Sequence, residues 1–196
     1  MVNGVSGRSA PASFNEDNME EWSLWVLSNG LPDMPVAVGK GESVPVARWV
    51  GNAVAAVLHV QWMWGNGDPD DDNLASEVAC FSQVVDGAWQ SSGSSGGTGW
   101  HSATLGRSDS IGPTETQRFG VHGEAGEAGC CVATFGITGI AARFVEVETE
   151  GHVERAPLES SIGAWIACWD AASASTVRIL GYDDTSLYSE SHPGWP

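Results

Sequence analysis

The chain has 196 residues, of which 42% are hydrophobic and 17% charged, a balance that belongs to folding chains rather than disordered ones and a length that suits one domain with a sizeable core. Asp and Glu number 25 against 8 Lys and Arg, for a formal charge of −17, so nucleic acid and anionic lipid surfaces are disfavoured as partners while a basic protein would be drawn in. No apolar run approaches the roughly 20 residues that cross a bilayer, and Met1 to Phe14 lacks the apolar stretch of about seven to fifteen residues of a secretory signal, which predicts a cytoplasmic chain without a membrane span.

Residues 1–14 are rich in Gly, Ser, Ala and Pro and offer nothing periodic to bury, which predicts a mobile tail. A helix is expected next. Asn15, Asp17 and Asn18 are capping residues, Glu20 and Glu21 suit a positive helix N-terminus, and Met19, Trp22, Trp25 and Val26 fall on one face. Gly30 should end it, with Pro32 close behind.

From Val44 the hydrophobic period changes to two. In Leu58 to Trp64, the residues Leu58, Val60, Trp62 and Trp64 alternate with His59 and Gln61, as in a half-buried strand with the polar pair facing water. Glu77 to Val85 continues in this style, and Asp86-Gly87 between apolar pairs predicts a hairpin. Ser91 to Gly99 has almost no side chains to pack and reads as a flexible loop between Trp89 and Trp100.

Gly106 to Gly129 reads as a second loose region. Strands are then expected at Cys131 to Ile140, Arg143 to Thr149, His152 to Arg155, Gly163 to Trp169 and Thr176 to Asp183, with Glu150-Gly151 as a turn. Val145 and Val147 should face inward and Glu146 and Glu148 outward, while Trp165, Ala167 and Trp169 share a face. Short strands at this spacing predict a mainly β fold, an antiparallel β-sandwich or open barrel with one short N-terminal helix. The expected organisation is a tail over 1–14, one β-rich domain over 15–190, either whole or as two β halves joined near 106–130, and a tail over 191–196.

Candidate chemistry is sparse. Asp68, Asp70 and Asp72 lie in an Asp-Pro-Asp-Asp-Asp-Asn tract and offer the oxygen donors that calcium takes. An EF-hand loop starting at Asp68 would need glycine where Asn73 stands and glutamate where Ala79 stands, so a solvated acidic turn is the simpler reading. Gly93 to Gly99 matches neither the dinucleotide nor the phosphate-loop pattern, and the sole lysine, Lys40, sits in a Gly-Lys-Gly turn. Cys130 with His122 is the least implausible nucleophile and base, yet no local signature accompanies them.

Cys130 and Cys131 are adjacent, so on a strand their side chains point to opposite faces, and no spacing resembles a zinc motif. The four cysteines read as buried thiols, and a Cys80 to Cys168 bridge would require export to an oxidising compartment. No cofactor is expected.

Ten tryptophans are the most unusual feature. Trp22, Trp62, Trp165 and Trp169 lie on periodic apolar faces and are expected in the core, whereas Trp89, Trp100 and Trp195 are expected to be accessible. Exposed indoles anchor interfaces, so Trp89 and Trp100 are the candidate binding residues. The leading expectation is therefore a non-catalytic interaction module that binds a protein, or a glycan, through Trp-bearing loops. An acidic inhibitor of a basic toxin or nucleic-acid enzyme, and a structural subunit of a larger assembly such as a particle coat, are the alternatives.

Overall fold

The computed structural model describes residues 10–33, 35, 37–62, 74–84, 86–100, 105, 111–126 and 129–194. The expected helix forms as α1 (Met19–Asn29), preceded by a turn of 3-10 helix over Glu16–Asn18 and closed by Gly30 at φ 95°. Asn18 serves that start through its position rather than through a side-chain cap. Its amide oxygen instead accepts from the Asn15 N–H at 3.0 Å. Phe14 stacks on Trp22 with ring centroids 4.6 Å apart, and the Trp22 indole donates to the Ser13 carbonyl at 2.7 Å.

Eleven strands follow among the described residues, arranged in three antiparallel sheets. The first sheet holds β1 (Ser43–Val50), β2 (Val54–Trp62), β3 (Leu74–Gln83) and β4 (Trp89–Gly99) in chain order. The second contains β5 (Thr116–Gly126), β6 (Gly129–Thr138) and β9 (Ala164–Asp170). The third, in the order β11-β10-β7-β8, comprises β7 (Phe144–Thr149), β8 (His152–Pro157), β10 (Ser175–Leu180) and β11 (Ser186–His192). The mainly β architecture with one short N-terminal helix is thus as the alternation of the sequence predicts.

Strands β2 and β3 of the first sheet are buried on both faces, which explains why they lack exposed alternation. Ala55, Val57, Ala79 and Phe81 face α1 and cluster with Trp22, Val26 and Leu27. Val54, Ala56, Leu58, Val60, Val78 and Cys80 join a larger core that also takes in Phe135 and Ile166 of the second sheet and Val145, Val147, Val177 and Ile179 of the third. Each buried aliphatic or aromatic side chain contributes about 1.5–3 kcal/mol, and the alternation of two faces lets one strand contribute to both clusters.

His59 corrects the expectation of a water-facing polar row: α1 covers that face, and the ring is wholly buried. Glu146 is also nearly buried rather than fully outward. It accepts from Arg155 Nη2 at 3.0 Å and Arg178 Nη1 at 3.0 Å, so the outward face of β7 carries an ion network in place of open solvent.

Two turns form as the sequence predicts. Asp86-Gly87 reverses the chain between β3 and β4, with Gly87 at φ 80° and Asp86 Oδ1 accepting from the Ala88 N–H at 3.1 Å. Glu150 and Gly151 both adopt positive φ, 51° and 81°, and join β7 to β8 as a two-residue hairpin connection. Two other expectations are corrected. Ser91 to Gly99 is strand β4, paired to β3 over nearly its whole length, and the loose region around Gly106 to Gly129 contains strand β5.

Candidate functional site

The most exposed large apolar side chain among the described residues is Tyr182, with 78% of its surface accessible. It sits in the turn between β10 and β11, which the Gly181 N–H closes by donating to the Thr185 carbonyl at 2.9 Å. Asp183 Oδ1 accepts from the Thr185 N–H at 3.2 Å, and hydrogen bonds from Thr185 hold its carboxyl below the usual range, so the turn keeps its anion. Asp184 takes positive φ, 60°, which aspartate tolerates better than most residues.

The neighbouring connection, between β6 and β7, braces this turn. Arg143 donates its backbone N–H to the Leu180 carbonyl at 2.8 Å, and its Nη1 donates to the carbonyls of Ile140 at 2.7 Å and Ala142 at 2.8 Å. The guanidinium so fixed lies 4.2 Å from the centre of the Tyr182 ring. Stacking on a cation orients a phenol ring that would otherwise rotate freely. Ile140, on the same connection, is 60% exposed. The result is an aromatic, an arginine and an aliphatic presented together by two adjoining turns, with Asp183 and Asp184 beside them.

The tryptophans expected to act as anchors take other places. Trp100 is only 8% exposed and packs edge-on to Phe119 with centroids 5.5 Å apart, so it belongs to the main core. Trp89 is half-buried against the α1-side cluster. No shared rim forms from the pair, because the segment between them is paired backbone. Trp22, Trp165 and Trp169 are buried as expected, whereas Trp62 is half-buried beneath Lys40, whose Nζ lies 5.7 Å from its ring centre. Asp68, Asp70, Asp72 and Trp195 lie outside the described residues.

His122 and Cys130 do not assemble as a catalytic pair. His122 is opposite Ala133 across the β5–β6 ladder, three residues from Cys130, which places the two side chains on opposite faces. The His122 ring stacks instead on Phe135 with centroids 5.2 Å apart.

Among the described residues, one group of side chains converges as metal ligands could: the sulfur atoms of Cys80, Cys131 and Cys168 all lie within 4.8 Å of one another. None of the four cysteines is in a disulfide. Cys168 faces Ala133 across the β6–β9 ladder, so Cys131, two residues away, is its diagonal neighbour on the same face. Cys80 meets them from β3 of the first sheet. The adjacency of Cys130 and Cys131 indicates that only one of them can point this way, but nothing local in the sequence reveals that three strands from two sheets bring thiols together.

No family model matches the chain, and neither the curated proteins nor the solved structures contain a detectable relative.

Proposed function

We propose that the protein is a non-catalytic β-sandwich interaction module that binds a basic protein surface through the two turns carrying Tyr182, Arg143 and Ile140. The observation that carries this reading is the Tyr182 ring, largely exposed yet held in orientation by the Arg143 guanidinium. Interface energy concentrates in aromatic and arginine anchors, and a ring ordered before binding loses less entropy on binding. Asp183 and Asp184 follow the tyrosine in the same turn, and a net charge of −17 steers basic surfaces toward the protein.

An acidic inhibitor that occupies a basic site would use the same turns, and the placement of carboxylates directly beside the anchor favours carrying this second reading forward. Salt distinguishes them. A partner held mainly by charge is released by moderate ionic strength, whereas an anchor-dominated complex is retained.

A photo-reactive residue at position 186 of the full chain, exposed at the start of β11 beside the turn, tests the proposal by linking to a partner in host extract, which is then purified for calorimetry. Tyr182→Ala should weaken binding of that partner by about 2 kcal/mol or more, roughly 30-fold. Val153→Ala, on exposed β8, should leave it unchanged. Equal affinity of the wild type and a Tyr182→Ala, Ile140→Ala double variant would refute the reading.

A further inference from the structure

The thiols of Cys80, Cys131 and Cys168 are 0–1% exposed, and the surrounding core is apolar, with Ala56, Val78, Ala133 and Ile166 among their neighbours on the facing strands. Three soft donors arranged within 4.8 Å on a rigid sandwich interface form a trigonal sulfur face. No histidine or carboxylate shares the group, so a tetrahedral zinc site with a fourth protein ligand is not assembled among the described residues.

Charge decides what this face can hold. Three thiolates around a monovalent copper ion carry a net charge of −2, and around zinc −1. A net charge within a low-dielectric core costs several kcal/mol even after relaxation, and the core around the three sulfurs is apolar among the described residues. A trivalent thiophile cancels three thiolates and leaves a neutral complex. We propose that Cys80, Cys131 and Cys168 form a binding site for a trivalent thiophilic metalloid of the arsenite class, held as a neutral tris-thiolate between the two sheets.

The reaction balances without an oxidant or a base. Three S–H bonds and three As–O bonds break, three As–S bonds form, the thiol protons leave with the hydroxides as three waters, and arsenic remains trivalent.

A cleft borders the site on one side. Cys168 and Trp169 line a cleft of about 300 Å³ whose rim carries Asn52, His152, Glu154 and Asp170. Arsenous acid is small and uncharged, so it suffers no Born penalty on passing an apolar wall, and side-chain motion at Cys168 would admit it.

The experiment titrates the reduced, folded full-length chain with sodium arsenite and, in a parallel arm, with a buffered cuprous complex. Native mass spectrometry reads stoichiometry, and X-ray absorption at the arsenic edge reads neighbours. The expected result is one arsenic per chain bonded to three sulfurs. Cys168→Ala and Cys131→Ala should each weaken binding by more than the roughly 10–100-fold lost with an outer-shell partner of a metal site. Cys130→Ala, outside the group, should bind as wild type. Near-UV circular dichroism reports whether each variant keeps its packing, and the absorption spectrum of wild type decides the matter if one does not. Binding only in urea, fewer than three sulfur neighbours, or a folded chain that takes copper but not arsenite would each overturn the proposal.

Discussion

Ser23 Oγ and His59 Nε2 lie 2.8 Å apart in the buried seam between α1 and the first sheet. The Ser23 hydroxyl also lies 2.9 Å from the Met19 carbonyl. Ser43 Oγ lies 3.3 Å from Nδ1, so each ring nitrogen has a hydroxyl partner and the donor in each pair follows from the tautomer. A second proton on the ring would turn both nitrogens into donors and place a charge in a wholly buried seam.

Stability should accordingly fall on mild acidification. Desolvation lowers the His59 pKa from 6.5 to about 4, a backbone hydrogen bond to Ser43 offsetting only part of the effect. Because the unfolded chain binds the proton first, the stabilisation is complete above about pH 6.5 and is lost progressively as pH falls toward 4. The lowered pKa corresponds to roughly 3 kcal/mol across that window. Urea unfolding of wild type and His59→Gln at pH 7.5, 6 and 5 checks this. The variant should show a shallower dependence, and parallel curves would remove His59 as the cause.

Trp100 and Tyr182 should respond in opposite ways to truncation. Trp100→Ala empties a packed site against Phe119 and should cost about 3–5 kcal/mol, whereas Tyr182→Ala removes an exposed ring and should change stability by no more than about 0.5 kcal/mol. Chemical denaturation gives both values. A Trp100→Ala chain as stable as wild type would mean that the indole is not the core element described above.

The helix, the Asp86-Gly87 hairpin and the Glu150-Gly151 turn were legible because each depends on residues adjacent in sequence. β4 was not. Its strand character comes from the ladder to β3, and its lack of side chains is a steric requirement at one point, since a Cβ at Gly96 would lie 2.7 Å from the Ser76 carbonyl oxygen. The burial of His59 is hidden for a related reason: period two identifies the two faces of β2 but cannot tell that a helix covers the polar one. Tyr182 carried no periodic signal at all, and its prominence depends on Arg143, a residue distant in sequence that reaches it only through the third sheet. The thiol group is invisible locally because each of its strands contributes one sulfur.

Gly136 should tolerate no side chain. A Cβ there would stand 1.9 Å from the Gln117 carbonyl oxygen, opposite the irregularity between Arg118 and Gly120 where β5 crowds β6. Backbone cannot yield as a flexible side chain can, so Gly136→Ala should destabilise the protein by about 1–3 kcal/mol or more. Gly151→Ala meets no neighbour within 4 Å but is strained by its φ of 81°, and should cost about 1 kcal/mol. Thermal unfolding of the two variants gives the order, and a reversal would mean that the β5–β6 pairing is looser than its register implies.

Glu146 ties the stability of the third sheet to the order of the Tyr182 turn. Its carboxylate receives Arg155 Nε at 3.2 Å and Nη2 at 3.0 Å on one oxygen and Arg178 Nη1 at 3.0 Å on the other. Arg155 reaches on to Asp184 Oδ1 at 2.8 Å, next to Tyr182 by two residues. The arginines are partly exposed, so solvent screens these pairs, and Glu146→Gln should cost only about 1–2 kcal/mol at low salt and less as salt rises. The loss should exceed that of Glu148→Gln, which forfeits a single Arg178 contact on a more exposed carboxylate. With its central anion gone, Arg155 loses the contact that orients it toward Asp184, and amide exchange at Thr185 should quicken. Unchanged exchange there, alongside the expected drop in stability, would show that the network steadies the sheet without reaching the turn.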